Sequence, residues 1–314
     1  MDKNTEVSFA TSGLSRASET PPFDRFAVYG DMKFPVDDNT APLVIFDNKE
    51  VEYRNGSWTY TGVQYWYLKH EHSFIAVSPV SVVDPAVNPQ YSNSRLSFTY
   101  TIPAIDGIIE NKDDVSDIFV ATHRRLYVSG NDPVTLKFRH IMSLVNIALA
   151  LDDDLMKNDE FVLINKLELS GIKTKAEFNI LPSAILSNNR TDDNVVEVSE
   201  QEGDAKLTIN FDTPLKIINK GKPVSIFAND DALIMLPQVF AADSKAKIVF
   251  TYTVNGDTEA PKAISLSFRD MKWELGKSYT YQGSFEIDKA QVQLQKMGIA
   301  DWTTEQLDSE AVSD

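Results

Sequence analysis

The sequence predicts an all-β protein. Three observations carry that expectation: short alternating runs rich in Val, Ile, Thr, Tyr and Phe recur along the chain, Gly, Pro, Asn and Asp break them at short intervals, and no regular strand-helix alternation separates them. With 314 residues, 42% of them hydrophobic, the chain is long enough for two ordinary domains, each with a core.

The first strong local signal is "VEYRNGSWTY". Asn55-Gly56 supplies the two positive-φ residues of a type I′ turn, which predicts a hairpin with Tyr53 opposite Trp58. A second Asn-Gly, Asn255-Gly256, separates a strand alternating Ile248, Phe250, Tyr252 and Val254 from one alternating Ile264, Leu266 and Phe268, so a hairpin with a longer loop is expected there. Between them "SRLSFTYTI", "VTLKF", "LVNIALAL", "FVLINKLELSG", "KAEFNIL", "KLTINF" and "VSIFA" read as further strands spaced by turn-rich connectors.

Two segments carry helical spacing instead. "DDVSDIFVATHRRLY" sets Val115, Ile118 and Phe119 at that spacing, and "FRHIMSLVNIALAL" does so with Phe138, Ile141, Met142 and Val145. In the second, Val134, Leu136 and Phe138 alternate in one phase and Val145, Ile147, Leu149 and Leu151 in the other, which predicts a bulged strand that slips near His140. Gly130, Asn131, Asp132 and Pro133 mark a boundary near residue 132, dividing the chain into 1–132 and 133–314. The acidic end, "TTEQLDSEAVSD", is expected to be mobile.

Thirty basic against 46 acidic residues give a net charge of −16, which argues against nucleic acid and against direct binding to an anionic bilayer. No cysteine is present, which removes disulfides, thiolate nucleophiles and Cys-type zinc sites. The opening "MDKNTEVSFATSG" lacks a basic region followed by an apolar one, so an exported protein is expected to have lost its signal before this point.

Four histidines are the scarce chemical parts. His70 and His72, in "QYWYLKHEHSFIAVSP", would lie about 7 Å apart on one face of a continuous strand, a spacing that chelates a metal if a third ligand converges. The polar "LKHEH" between two apolar patches instead suggests exposed connector histidines, and His140 is expected to satisfy a backbone group at the bulge. Asp113-Asp114 and Asp152-Asp153-Asp154 lack the spacing of a calcium loop, and no nucleophile elbow, dinucleotide fingerprint, Walker loop or H-E-x-x-H occurs. No catalytic residue, metal or cofactor is therefore expected.

At four places the chain resembles the fimbrillins, the pilin-like surface lipoproteins of Bacteroidota that build type V pili. "YWYLKHEHSFIAVSP" is similar to that family's aromatic strand, polar connector and Phe-x-Ala-x-x-Pro strand. "VTLKFRHIMSLVNIALAL" resembles its Phe-x-His followed by an apolar strand, and "ALIMLPQVFAADSKAKIVFTYTV" its Leu-x-Pro-Gln element. "KWELGKSYTYQGSFEI" resembles its Trp, Gly, Tyr-x-Tyr strand, with a late tryptophan at Trp302.

The resemblance implies two tandem transthyretin-like Greek-key β-sandwiches, export to the outer membrane or an extracellular fimbria, and a lipid anchor whose cysteine is absent from this sequence. It also implies that an N-terminal strand fills a groove until a protease cuts after an arginine, whereupon another pilus subunit adds a strand. "EVSFATSG" would be that strand with Val7 and Phe9 as its buried face, and Arg16 the first and Arg25 the second choice for the cut, or else it would be an ordinary first strand that is never cleaved. "KAQVQLQKMGIADW" would be a donor strand through Val292, Leu294 and Met297 or Ile299, or else an ordinary last strand.

Two other classes stay open. One is a surface glycan-binding lipoprotein that does not polymerise, stacking sugars on Trp58, Tyr60, Trp66 and Tyr91, with a host or bacterial surface receptor or glycan as partner. The other is a metal-dependent hydrolase built on His70 and His72.

Overall fold

A computed structural model describes residues 5–12, 22–34, 40–127, 132–151, 161–184, 190–191, 194–218, 222–227, 232–257, 260–286 and 291–302. Among them the chain is all-β, and its only helical turns are short 3-10 segments at Val80–Val83, Pro85–Val87 and Lys112–Asp114.

The strands of the first half are β1 (Phe9–Ser12), β2 (Arg25–Lys33), β3 (Leu43–Arg54), β4 (Ser57–Thr59), β5 (Glu71–Ser78), β6 (Gln90–Ser92), β7 (Arg95–Thr101), β8 (Ile108–Ile109), β9 (Phe119–Leu126), β10 (Val134–Lys137), β11 (Arg139–His140) and β12 (Ser143–Leu151). The second half adds β13 (Val162–Ile172), β14 (Lys175–Pro182), β15 (Arg190–Thr191), β16 (Asn194–Glu202), β17 (Ala205–Ile217), β18 (Val224–Ser225), β19 (Leu233–Met235), β20 (Gln238–Phe240), β21 (Lys247–Val254), β22 (Lys262–Ser267), β23 (Met271–Trp273), β24 (Lys277–Glu286) and β25 (Gln291–Asp301).

The central sheet runs β11-β9-β5-β2-β3-β4, with β15 also on β9. Its middle strands are buried almost without interruption, over Phe26–Met32 in β2 and His72–Ser78 in β5. A sheet shows that pattern when both of its faces are covered. Phe26, Val28, Phe74 and Ala76 face one core with Val7, Phe9, Val134, Leu136 and Phe138. Ala27, Tyr29, Ile75, Val77 and Val120 face the other, shared with Leu96, Phe98 and Phe178 of the β16-β14-β7-β6 sheet. The layer between β2 and β5 leaves no room for a side chain at Gly30, where a Cβ would lie 2.9 Å from Phe74 Cδ1 and 3.2 Å from the Ser73 carbonyl.

The remaining sheets among the described residues are β22-β21-β13-β17-β8, β18-β12-β24-β25 with β19 on β12, and the two-stranded β1-β10 and β20-β23. Both predicted hairpins are present: Tyr53 pairs with Trp58 across Asn55 (φ 52°) and Gly56 (φ 83°), and β21 pairs antiparallel with β22.

Three expectations are corrected. The phase slip near His140 is not a bulge: β10 pairs with β1, β11 with β9, and β12 leaves for a different sheet, where it runs parallel to β24. The alternation changes phase because the chain changes sheets. The helical spacing of Val115, Ile118 and Phe119 is a buried irregular stretch leading into β9. Strands also pair across residue 132: β14 with β7, β17 with β8, and β15 with β9, so residues on both sides of the expected boundary build common sheets and one large core. The acidic end, from residue 303, lies outside the described residues.

Gly30→Val is expected to lower the free energy of unfolding by about 1–3 kcal/mol in guanidinium titrations, because both near neighbours are fixed, one of them backbone. An unchanged midpoint would mean that Phe74 can move aside.

Candidate functional site: a groove filled by the N-terminal segment

One face of the central sheet carries a row of aromatic rings, and residues 5–12 lie across it. On one side the segment pairs antiparallel with the chain at Tyr65: Val7 N–H donates to the Gln64 carbonyl and Trp66 N–H to the Thr5 carbonyl, both at 2.8 Å. On the other side it runs parallel to β10, from Phe9 beside Val134 to Ser12 beside Lys137, with Val134 N–H donating to the Ser8 carbonyl at 2.7 Å. The segment is thus extended chain bonded on both edges, through residues 5–7 on one and residues 8–12 on the other, the way an added strand completes a sheet or a groove.

Alternation puts Val7 and Phe9 inward, 2% and 6% exposed. Phe9 meets Phe26, Phe46, Tyr60 and Phe74 at centroid distances of 5.6–6.1 Å, all edge-to-face, the geometry aromatic quadrupoles prefer. Two polar contacts fix the register: the Tyr60 hydroxyl donates to the Val7 carbonyl at 2.7 Å, and Trp58 Nε1–H donates to Thr11 Oγ1 at 3.2 Å.

The edge at residues 64–66 has its own support. Trp66 is buried, stacked on Tyr127 at 5.1 Å with the Arg125 guanidinium 4.7 Å from its ring centre, and the His72 ring meets it edge-on at 4.9 Å. His72 Nε2 accepts the Tyr67 N–H at 3.2 Å, so the proton sits on Nδ1, which faces the His70 carbonyl at 3.2 Å. Burial pushes the His72 pKa down to about 4, only partly offset by the bond to the His70 carbonyl, and the nearby His70 and Arg125 lower it further.

The expectation of exposed connector histidines is therefore wrong for His72, which is fully buried in β5. The connector ends at Lys69, whose φ of 62° makes the turn, and His70 N–H donates back to the Tyr67 carbonyl. Among the described residues no group of three metal-ligating side chains converges on His70 and His72 or elsewhere.

The expected sugar-stacking rings lie elsewhere than on a free surface. Trp58, Tyr60 and Trp66 line the groove, and Tyr91 packs on Tyr29 in the other core. Arg25 opens β2, with its backbone opposite Glu52 and its carbonyl accepting the Ser78 hydroxyl, whereas Arg16 lies outside the described residues.

Val292, Leu294, Met297 and Ile299 lie in β25, the edge strand paired with β24, opposite Phe285, Gly283, Tyr281 and Tyr279. Ile299 is 51% exposed. Trp302 follows the strand directly, and its ring stacks on His140 at 3.9 Å and 14°. The groove-forming roles of Tyr60, Gln64 and Thr11 have no local signature in the sequence, since each depends on a partner about 50 residues away.

Residues 16–302 match the Fimbrillin-like family, and the chain belongs to it. Among solved structures it resembles a fimbrial protein from Bacteroides vulgatus ATCC 8482, with a TM-score of 0.64 at 14% identity over 96% of this chain and 100% of that one. A candidate cell adhesion protein from Bacteroides ovatus ATCC 8483 matches with a TM-score of 0.53 at 16% identity over 96% and 99%. At such identities the likeness is one of fold. No curated protein matches the sequence.

Two outcomes are expected. Phe9→Ala should destabilise the protein by about 3–5 kcal/mol in chemical denaturation, since the four rings around Phe9 cannot collapse onto the space. Stability should also fall as pH drops. The folded value of His72 is about 4 and its usual value 6.5, so in that window the unfolded chain takes up a proton that the folded one refuses. The contribution is complete above pH 6.5 and lost progressively toward pH 4, amounting to roughly 3 kcal/mol. His72→Gln should flatten that part of the profile.

Proposed function

We propose that this protein is a structural and adhesive subunit of a cell-surface fimbria, joined to its neighbours by exchange of the strand in the Val7 and Phe9 groove. Family membership supports the fimbrial part of the reading. The observation that carries the exchange is that residues 5–12 are bonded along both edges and bury two side chains, yet precede every other described strand, so they can leave without unthreading the core. An emptied groove would present unpaired backbone on both sides and four exposed rings, a template for an incoming strand.

Arg16 is the first choice for the cut that frees the segment, since it stands in a Ser, Thr and Pro-rich stretch between it and β2. Arg25 is second, because its peptide would first have to be peeled from β3. For the donor, Val292-x-Leu294 repeats the Val7-x-Phe9 spacing and offers a smaller side chain to the Phe9 pocket. Attachment to the outer membrane through an N-terminal lipid is part of the same reading.

Digestion of the full chain with an arginine-specific protease tests it. Discrete trimming at Arg16 followed by a ladder of oligomers is expected, with Arg16→Ala blocking both and a variant ending at residue 288 trimming without laddering. Absence of trimming and ladder would overturn the exchange mechanism.

A further inference from the structure

We propose that Trp58 sets the register of any strand seated in the groove, by requiring a hydrogen-bond acceptor at the position of Thr11, and that in a second copy of this chain Met297-x-Ile299-x-Asp301 meets the requirement. The donor half rests on the strand exchange proposed above. The role of Trp58 stands on the contacts of the segment already in place.

Three residues of that segment, two apart, meet the groove through their side chains. Val7 and Phe9 are apolar and buried, and Thr11 is polar. Trp58 Nε1–H donates to Thr11 Oγ1 at 3.2 Å, and its indole is held by Phe26 at 4.9 Å and Tyr53 at 5.1 Å beside the tight Asn55-Gly56 turn. An indole N–H only donates. A seated strand therefore satisfies it with a hydroxyl, a carboxylate or an amide oxygen, and not with an ammonium or a hydrocarbon. The main-chain bonds on the two edges recur along any extended chain, so they do not decide which residue stands where. The sequence apolar, apolar, acceptor at every second residue does.

Several stretches between residues 290 and 304 place two apolar residues at the spacing of Val7 and Phe9, and the third position separates them. Ala290-x-Val292 is followed by Leu294, and Val292-x-Leu294 by Lys296, neither of which accepts a hydrogen bond. Met297-x-Ile299 is followed by Asp301, an acceptor whose charge strengthens the bond. That register also sets Ala300 where Ala10 stands. Ala300-x-Trp302 followed by Thr304 ends on an acceptor too, but an indole is larger than the phenyl ring that Phe26, Phe46, Tyr60 and Phe74 enclose. In β25 Ile299 is already 51% exposed and Asp301 pairs with Lys277 at the surface, so neither is committed to the core.

Native-state hydrogen exchange of the intact chain tests Trp58, read at the Val7 amide, whose bond to the Gln64 carbonyl breaks when the segment leaves. Thr11→Val is expected to speed that exchange about two- to tenfold, the weight of one hydrogen bond, while Thr11→Ser leaves it near the unsubstituted rate. In a Trp58→Phe background Thr11→Val should add nothing. Should Trp58→Phe fail to fold, the Val and Ser substitutions decide alone. Equal exchange in those two, or additive effects, would overturn the role of Trp58. The ladder after arginine-specific digestion tests the donor. Asp301→Leu should slow it about two- to tenfold, and Asp301→Asn, which keeps an acceptor, should not. Laddering of Asp301→Leu at the unsubstituted rate overturns the donor assignment alone. An unsubstituted chain that fails to ladder overturns the exchange reading and the donor assignment together, and the hydrogen-exchange result still judges Trp58.

Discussion

Phe26, Phe46, Phe74 and Trp66 form an apolar face that must be kept from water, and the protein's own sheet does not cover it. The opposite face of the same sheet is closed by strands from both halves of the sequence, which lock together through β7, β14 and the large core. Among the described residues the aromatic face is covered by residues 5–12, by β10 with Phe138, and by Phe23, Trp58 and Tyr60. The sheet's stability therefore rests in part on a short strand that contributes two buried side chains and a few main-chain bonds.

That arrangement separates two kinds of contact. Main-chain bonds to residues 64–66 and to β10 read only an extended backbone, and any strand of suitable direction satisfies them. The ring cage around Phe9 reads side-chain size and shape. Generic backbone pairing joined to a selective pocket is what a groove needs if it must hold its own segment firmly and still be able to accept another. His72 belongs to this design, since its two ring nitrogens tie residues 67 and 70 together and so hold the 64–66 edge in place.

Local chemistry was legible where it is self-contained. Asn55-Gly56 and Asn255-Gly256 announce their hairpins, because a positive φ is a property of the residues themselves. The family's motifs around residues 65–79 likewise mark a segment that the groove depends on. What was not legible depends on distant partners. His72 stands in a polar run, and nothing in "LKHEH" says that the turn ends at Lys69 and that the next residues enter a sheet covered on both faces. The change of phase around His140 looks the same in sequence whether a strand bulges or the chain changes sheets. The boundary near residue 132 was drawn from turn residues, yet a turn reports only that the chain bends, not whether the strands on either side stay together.

The stack of Trp302 on His140 gives the fold a further property. β10 forms one edge of the groove, β11 follows it within two residues, and the last residue of β11 is the platform for the tryptophan that follows the final described strand. The first described strand and the tryptophan after the last one thus bear on a single seven-residue span, Val134 to His140, so a pull on either is delivered to the seat of the other.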